Sequence, residues 1–337
     1  MKLAAIVVVV ALFSVRAHAQ ATVNVNLTPA GQQLAQDFGD SAATLISKVE
    51  AEVNAVYQTQ HIGPLLDAFL TTTQFANKSL GVDYQTQPSE IEIGVVVDGA
   101  LSTDEAFSTS GKLTTGALVN IAATAGMNFG HWGLSRLSVF ANGFYETGSL
   151  KSLDGHLLTL GAHAQYKVVM PSRPGAVRWT GVDVTSGLEF ARWTLGNSAP
   201  LVTHFTLDGT TPGESLNMTL TSTGTLSLVA TTFSIPIEVT TGVRFGDVFA
   251  VFAGGGVDLT FGSSTFTAAL NGNMTKTDDG TLEGTVDISA SGSQSPSVFT
   301  VHALAGLQLD VPHFHYYVEG LLAPGVYGVA TGIRLSY

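Results

Sequence analysis

Three constellations in this 337-residue sequence have the residue types and spacing to do chemistry. His156 follows Asp154 by two places, and His204 precedes Asp208 by four. A histidine steadied by a carboxylate is half of a hydrolase centre, but no nucleophile motif accompanies either pair. His313-Phe314-His315 offers two imidazoles at strand spacing, a partial metal grip that lacks a third ligand. The largest set is scattered along apolar segments: Glu92, Asp98, His163, Lys167, Asp183, Glu189, Glu238, Arg244, Asp258, His302 and Arg334, with Asn120, Glu146 and Glu319 in similar settings. If their strands enclose a space, charges of both signs point into it. There they either knit the wall together or line a path for a solute. No catalytic residue, metal ligand or cofactor is assigned.

The elements that must position these residues are strands. Ile237, Val239, Thr241, Val243 and Phe245 alternate with Glu238, Thr240, Gly242 and Arg244. Phe249, Val251, Ala253, Val257, Leu259 and Phe261 do the same, as do Leu158 to Val168 and Phe299 to Leu309. Period two is the strand signature. Composition narrows the class: 45% of residues are apolar, only 12% are charged, and mean hydropathy is +0.30. Disordered chains are poor in apolar residues, and soluble domains carry about a quarter charged. The net charge of −12 argues against nucleic acid as a partner. Zero cysteines exclude a disulfide scaffold and thiolate metal sites.

Beyond residue 19 no run of 18 apolar residues offers a membrane helix. Three features favour strands that cross a bilayer. The alternating segments are longer than the five or six residues usual in soluble sheets. Aromatics bracket their apolar faces: Phe129, Tyr166, Phe245 and Tyr316 at one rim, Tyr145, Phe299 and Tyr327 at the other. Connections alternate between tight (Gly130 to Gly133, Gly246-Asp247, Val311-Pro312-His313) and long (102–111, 196–232, 263–297). Short periplasmic turns and long outer loops are the habit of outer-membrane barrels. Ten passes are expected: 89–102, 112–129, 134–148, 154–170, 177–196, 233–246, 248–262, 298–310, 313–322 and 326–337. Segments 201–232 and 264–296 could raise the count to 12–14. They read instead as extracellular hairpins with tips at Thr210 to Glu214 and Thr277 to Gly280, because both faces carry Thr, Ser, Asn and Asp, as in Leu216-Asn217-Met218-Thr219-Leu220-Thr221. An unbroken register would turn Trp179 and Trp193 inward with Asp183 and Glu189; a bulge would turn them out.

The last residues, Gly332-Ile333-Arg334-Leu335-Ser336-Tyr337, resemble the C-terminal signal of Gram-negative outer-membrane β-barrel proteins. Tyr337 fills the terminal aromatic place, Leu335 and Ile333 the alternating apolar places, and Gly332 the upstream glycine; Ala330 stands where a polar residue is usual. The resemblance covers about residues 89–337. It implies an antiparallel up-and-down barrel, exported and then inserted by the barrel-assembly machinery, with membrane lipid around it.

Ahead of the barrel, Met1-Lys2, the apolar run Leu3 to Phe13 and Ala17-His18-Ala19 read as a signal peptide over residues 1–19, cleaved after Ala19. Eleven helical residues rise only ~16 Å, too short to span the ~30 Å core. Residues 20–88 read as helical: Leu34, Phe38, Leu45, Val49, Val53 and Val56 make one stripe, and Pro64 opens a second helix with Leu65, Leu66, Phe69 and Leu70. The narrow lumen favours a place at the periplasmic mouth with partial insertion, the alternative being a plug. The function expected first is a monomeric, non-enzymatic conduit for small solutes, gated by these helices. The rivals are a structural or adhesive surface barrel acting through its threonine-rich hairpins on an unknown partner, and a hydrolase built at the rim.

Overall fold

The computed structural model describes residues 18–56, 62–76, 91–102, 117–150, 153–172, 175–197, 200–209 and 215–337. The apolar leader and the Thr210–Glu214 tip lie outside the described residues. In chain order the elements are β1 (His18–Leu27), α1 (Pro29–Asp37), α2 (Ala42–Val56), α3 (Ile62–Phe75), β2 (Ile91–Ser102), β3 (Ala117–Phe129), β4 (Leu134–Leu150), β5 (Leu153–Val169), β6 (Val177–Asn197), β7 (Leu201–Asp208), β8 (Ser215–Phe245), β9 (Phe249–Lys276), β10 (Leu282–Gln294), β11 (Phe299–Val311), β12 (Phe314–Ala323) and β13 (Val326–Ser336).

Ten of these strands close on themselves in an antiparallel ring. Its order is β2-β3-β4-β5-β6-β8-β9-β11-β12-β13, and β13 pairs back onto β2. The fold is therefore a transmembrane up-and-down barrel of ten strands. Closure leaves no edge for lipid to meet, which is why a sheet can cross a bilayer at all. The alternation sorts side chains as expected. Leu160, Leu188, Val239, Val251, Val301 and Ile333 point outward, 39–61% exposed with Val329 included, while Phe252, His302 and Arg334 point inward and are buried.

The outward aromatics fix the membrane zone. Phe233, Phe261 and Phe299 lie side by side at one level, where Phe233 pairs with Phe261 and Phe299 with Leu259. Phe245 pairs with Phe249 at the other, their rings 5.9 Å apart. The twelve steps from residue 233 to residue 245 rise roughly 28 Å at about 3.3 Å each and a tilt near 45°, close to the ~25 Å apolar band of such barrels. Val251 lies inside that band and faces out. Val239, midway between the two aromatic levels, also faces out, and Val239→Arg is expected to cost about 2–4 kcal/mol in a urea titration of the lipid-embedded protein; a loss near zero would take this face out of the lipid.

At one end of the ring the connections whose residues are all described are compact: Gly130–Trp132, Gly246 to Val248, and Pro312-His313. His313 sits at φ 65, the left-handed third position of a turn that Pro312 opens. The opposite end carries the long segments, but its connections are not uniformly long. β12 and β13 are joined there by Pro324-Gly325 alone.

β8 and β9 do not stop at the rim. They run on together as 31- and 28-residue strands, paired from Phe245/Phe249 out to Met218/Lys276. β7, β10 and β1 add to them, giving a five-stranded extension in the order β1-β10-β9-β8-β7. This corrects the reading that both of its faces are polar. The inner face is apolar: Leu216, Met218, Leu220, Leu270, Met274, Val286 and Ile288 are buried there against Leu45, Val49 and Val53 of α2 and Ala35 of α1. Polar outward rows had masked an ordinary two-sided sheet.

The helices accordingly stand at the hairpin end, not beside the tight turns as expected for a periplasmic placement. α1 and α2 cover the extension, and α3 lies in the mouth of the ring. Leu66, Phe69, Leu70 and Phe75 of α3 are buried against Ala100, Leu118, Leu228, Ala230, Leu321 and Val326 from strands all round the barrel. A ring of ten strands leaves room for one helix here, and Ala100 and Ala230 keep part of the facing wall thin.

Candidate functional site: the lumen and the outer extension

All eleven inward candidates are buried, Asp258 to 0% exposure and Arg244 to 6%. The structure draws most of them into a few clusters. Lys167 of β5 and Asp183 of β6 are register partners, their charged atoms 2.9 Å apart, and Lys167 Nζ also donates to the Thr180 carbonyl at 3.1 Å. His163 Nε2 meets Glu189 Oε1 at 3.1 Å, and Ser234 Oγ donates to the other Glu189 oxygen at 2.8 Å. His302 sits between Asp258, 2.7 Å from Nδ1, and Glu238, 3.0 Å from Nε2. Arg334 Nε faces Glu92 at 3.4 Å and lies over the Tyr317 ring, 4.1 Å from its centroid. Asp98 faces Asn120 across the β2–β3 ladder.

Asp310 and His315 make a further cluster; the sequence reading does not single out Asp310 and takes His315 with His313 as a partial metal grip. Arg244 Nη2 meets Asp310 at 2.6 Å, His315 Nδ1 meets its second oxygen at 2.6 Å, and His315 Nε2 reaches Ser336 Oγ at 3.0 Å. The links run from β8 across β11 and β12 to β13. His313 instead uses Nδ1 on the Ser336 carbonyl at 2.9 Å, so the two imidazoles of the motif serve different partners. The turn at Pro312-His313 separates them. Asp310 itself ends the period-two run from Phe299, and that parity was the signal available for it.

Between these polar clusters run apolar layers. Phe140, Phe252 and Leu304 are mutually buried, as are Val96, Ala122 and Tyr317. Three inward aromatics each lie flat over a glycine directly across the ladder: Phe140 over Gly126, Phe252 over Gly306, Tyr317 over Gly332. A Cβ at any of these glycines would come within 2.8 Å of a ring carbon. Such aromatic cover of strand glycines pins register. Trp179 and Trp193 part company. The β6–β8 ladder slips between Trp179 and Val182 at Gly181 (φ +91), which turns Trp179 outward to donate its indole N–H to Thr241 at 2.7 Å. Trp193 keeps its register and packs inward, its ring edge-on to Phe69 of α3 at 6.4 Å.

The rim histidines sit apart from this interior. His204, on the outer face of the extension, bonds Thr219 Oγ1 at 3.0 Å, and the Asp208 carbonyl accepts from Lys48 of α2. His156 is exposed on the outer wall. With Glu146, Leu157 and Trp193 it lines a recess of about 150 Å³.

The outer face of the extension is a regular polar array. Thr221, Asn273, Thr285 and Asn26 align across β8, β9, β10 and β1, and Thr223, Asn271, Asp287 and Asn24 form the next row. Where β1 turns into α1, Thr28 caps the helix by accepting from Gly31 N–H at 3.2 Å and hydrogen-bonds the Glu283 carbonyl. Glu283 is drawn inward at a ladder slip between Leu282 and Gly284. Burial, then the nearby Asp279 charge, pushes its carboxyl above the usual glutamate range. The folded extension thus favours the protonated form. The stability this lends is present below the ordinary glutamate pKa and fades as pH rises through the raised one. Glu283→Gln is expected to raise the melting temperature of the extension at neutral pH and to flatten its acid dependence; an unchanged profile would place that carboxyl in water.

A family model described as Lsa36-like matches residues 16–337, nearly the whole chain. The chain belongs to that family. No curated protein matches the sequence. Among solved structures it is similar to the translocator domain of the autotransporter NalP from Neisseria meningitidis, at 10% identity and TM-score 0.30 over 87% of this chain and 99% of that one. It is also similar to the CymD monoaromatic hydrocarbon channel, at 11% identity and TM-score 0.27 over 83% and 96%. Ail, the attachment invasion locus protein of Yersinia pestis, shares 10% identity at TM-score 0.22 over 73% and 96%.

Proposed function

We propose that this member of the Lsa36-like family is an exported outer-membrane barrel that acts through the domain on its hairpin side, while its lumen stays closed. One observation carries the reading. α3 fills the mouth with an apolar core, Leu66 and Leu70 being at most 1% exposed, and polar side chains beneath it are tied to one another. A solute would have to displace both layers. The extension, by contrast, runs eighteen residues beyond Phe233 along β8, on the order of 40 Å at barrel tilt. Its outward rows are threonine and asparagine with a single aspartate, Asp287, among those named above, and suit a partner held mainly by hydrogen bonds. The signal peptide, insertion by the barrel-assembly machinery, a lipid surround and a monomeric state belong to the same proposal, which assigns the chain no catalytic step.

A conduit gated by α3 is the second reading, favoured by the one-helix width of the plug. Planar-bilayer recording separates the two. The full chain is expected to insert without discrete conductance steps, whereas steps from the intact protein would favour the conduit. The surface reading further expects that Thr221→Lys with Asn273→Lys leaves insertion intact and abolishes adherence of cells carrying the barrel to polysaccharide- or protein-coated surfaces. Unchanged adherence would count against it.

A further inference from the structure

The path of the chain through the ring has a consequence for which side of the membrane its first half occupies. β2 enters the wall at the tight-turn end: Ile91 pairs with Met127, beside the Gly130–Trp132 turn, and exchanges backbone hydrogen bonds with Tyr337. The residues preceding β2 are at the other end. β1 lies on β10 with Val23 opposite Ile288 and Val25 opposite Val286, and α1 and α2 close the core of the extension. α3 reaches into the ring from the hairpin end. The Phe75 ring meets His302 edge-on at 6.4 Å, and the Ala76 carbonyl accepts from Asn120 Nδ2 at 3.3 Å. Asn120 stands opposite Asp98, seven places along β2 from Ile91 toward the hairpin end.

A closed ladder gives a chain no sideways exit, and the last residue of this stretch that the structure describes, Ala76, already lies inside the ring, while Ile91 opens β2 at the tight-turn end. We infer that this barrel displays its own upstream segment. Residues 20–56 have crossed the membrane through the lumen, and β1 then adds to the edge of β10 on the outside as a fifth strand, with α3 left in the passage as its stopper. The inference rests on the outer-membrane reading with tight turns in the periplasm, the arrangement such barrels adopt. It changes the expected topology: an even strand count would leave both flanks of the barrel in the periplasm, whereas here the upstream flank faces out. Strand addition supplies the holding energy, since backbone bonds form along the whole of β1 while Val23 and Val25 drop into the extension's core.

Because the chain has no cysteine, single-cysteine variants report sidedness without background. Gln36→Cys on α1, Asp278→Cys at the β9–β10 tip and Asp247→Cys in the β8–β9 turn are all exposed positions. The full chain is expressed in a Gram-negative host, and intact cells are treated with a membrane-impermeant maleimide. Gln36→Cys and Asp278→Cys are expected to label to completion, with no gain on permeabilisation, and Asp247→Cys to label only after it. Ala43→Cys on α2 repeats the measurement should Gln36→Cys fail to accumulate. If Asp278→Cys labels on intact cells while Gln36→Cys and Ala43→Cys stay silent, the segment has not crossed and the inference is wrong. If instead Asp247→Cys labels and Asp278→Cys does not, the barrel is inserted the other way up, and the orientation it rests on fails.

Discussion

Asp183→Leu lowers stability by about 3–5 kcal/mol, and adding Lys167→Met to the same chain returns most of that loss. The reasoning starts from where the pair sits. Lys167 and Asp183 face each other across the β5–β6 ladder inside the ring, their side chains 5% and 2% exposed. Taking two ions out of water is costly, and their mutual attraction does little more than offset it. Deleting the carboxylate leaves the desolvation of the ammonium in place and removes the charge that offset it. The Thr180 carbonyl still accepts from Lys167 Nζ, but a carbonyl dipole is a weaker partner than a full charge. Replacing both residues with apolar chains of similar volume removes attraction and desolvation together, so the double variant recovers. Unfolding midpoints in urea, measured for the two singles and the double in lipid vesicles, give the coupling. A single-variant loss below about 1 kcal/mol would mean that water reaches the pair, as at an exposed ion pair.

How much of this was legible beforehand differs from element to element. The ten ring strands could be read because each carries its own evidence, a period-two alternation that meets lipid on one side. The same parity put all eleven charged candidates on the inward face, and Asp310 obeys it too. β1 had no such marker. His18–Leu27 pairs with β10, more than 250 residues away along the chain, and a strand recruited at that distance leaves no local signature. The helices were recognisable from their stripes, yet their place was not, because a stripe says that a face is covered and not by what. The extension is a different kind of miss. Leu216, Met218 and Leu220 alternate with Asn217 and Thr219 as plainly as any lipid-facing strand does, and the threonines drew attention from them. Trp179 shows the limit of parity itself, since one left-handed glycine at Gly181 reverses it.

Gly332 was read as part of a C-terminal recognition signal, and the structure supplies a second reason for it that operates without any assembly machinery. Its register partner is Tyr317, whose ring lies over the bare backbone, with the Arg334 guanidinium over the same ring, 4.1 Å from the centroid. Tyr317 also packs with Val96 and Ala122, so the ring cannot swing away freely. A Cβ at this position would come within 2.8 Å of Tyr317 Cζ, and valine adds two methyl groups beyond that. Overpacking of a filled interior costs about 1–3 kcal/mol and occasionally more. Gly332→Val is expected at or above the upper end, because displacing the ring also removes the support of Arg334, which faces Glu92 at 3.4 Å. The outcome separates packing from recognition. Refolded from urea into detergent micelles, where no assembly machinery is present, Gly332→Val should still fold poorly, and Tyr317→Ala in the same chain should restore part of the loss by making room. Normal refolding of Gly332→Val in micelles, with failure only in cells, would leave recognition as the sole role of this glycine and take the aromatic cover out of the account of stability.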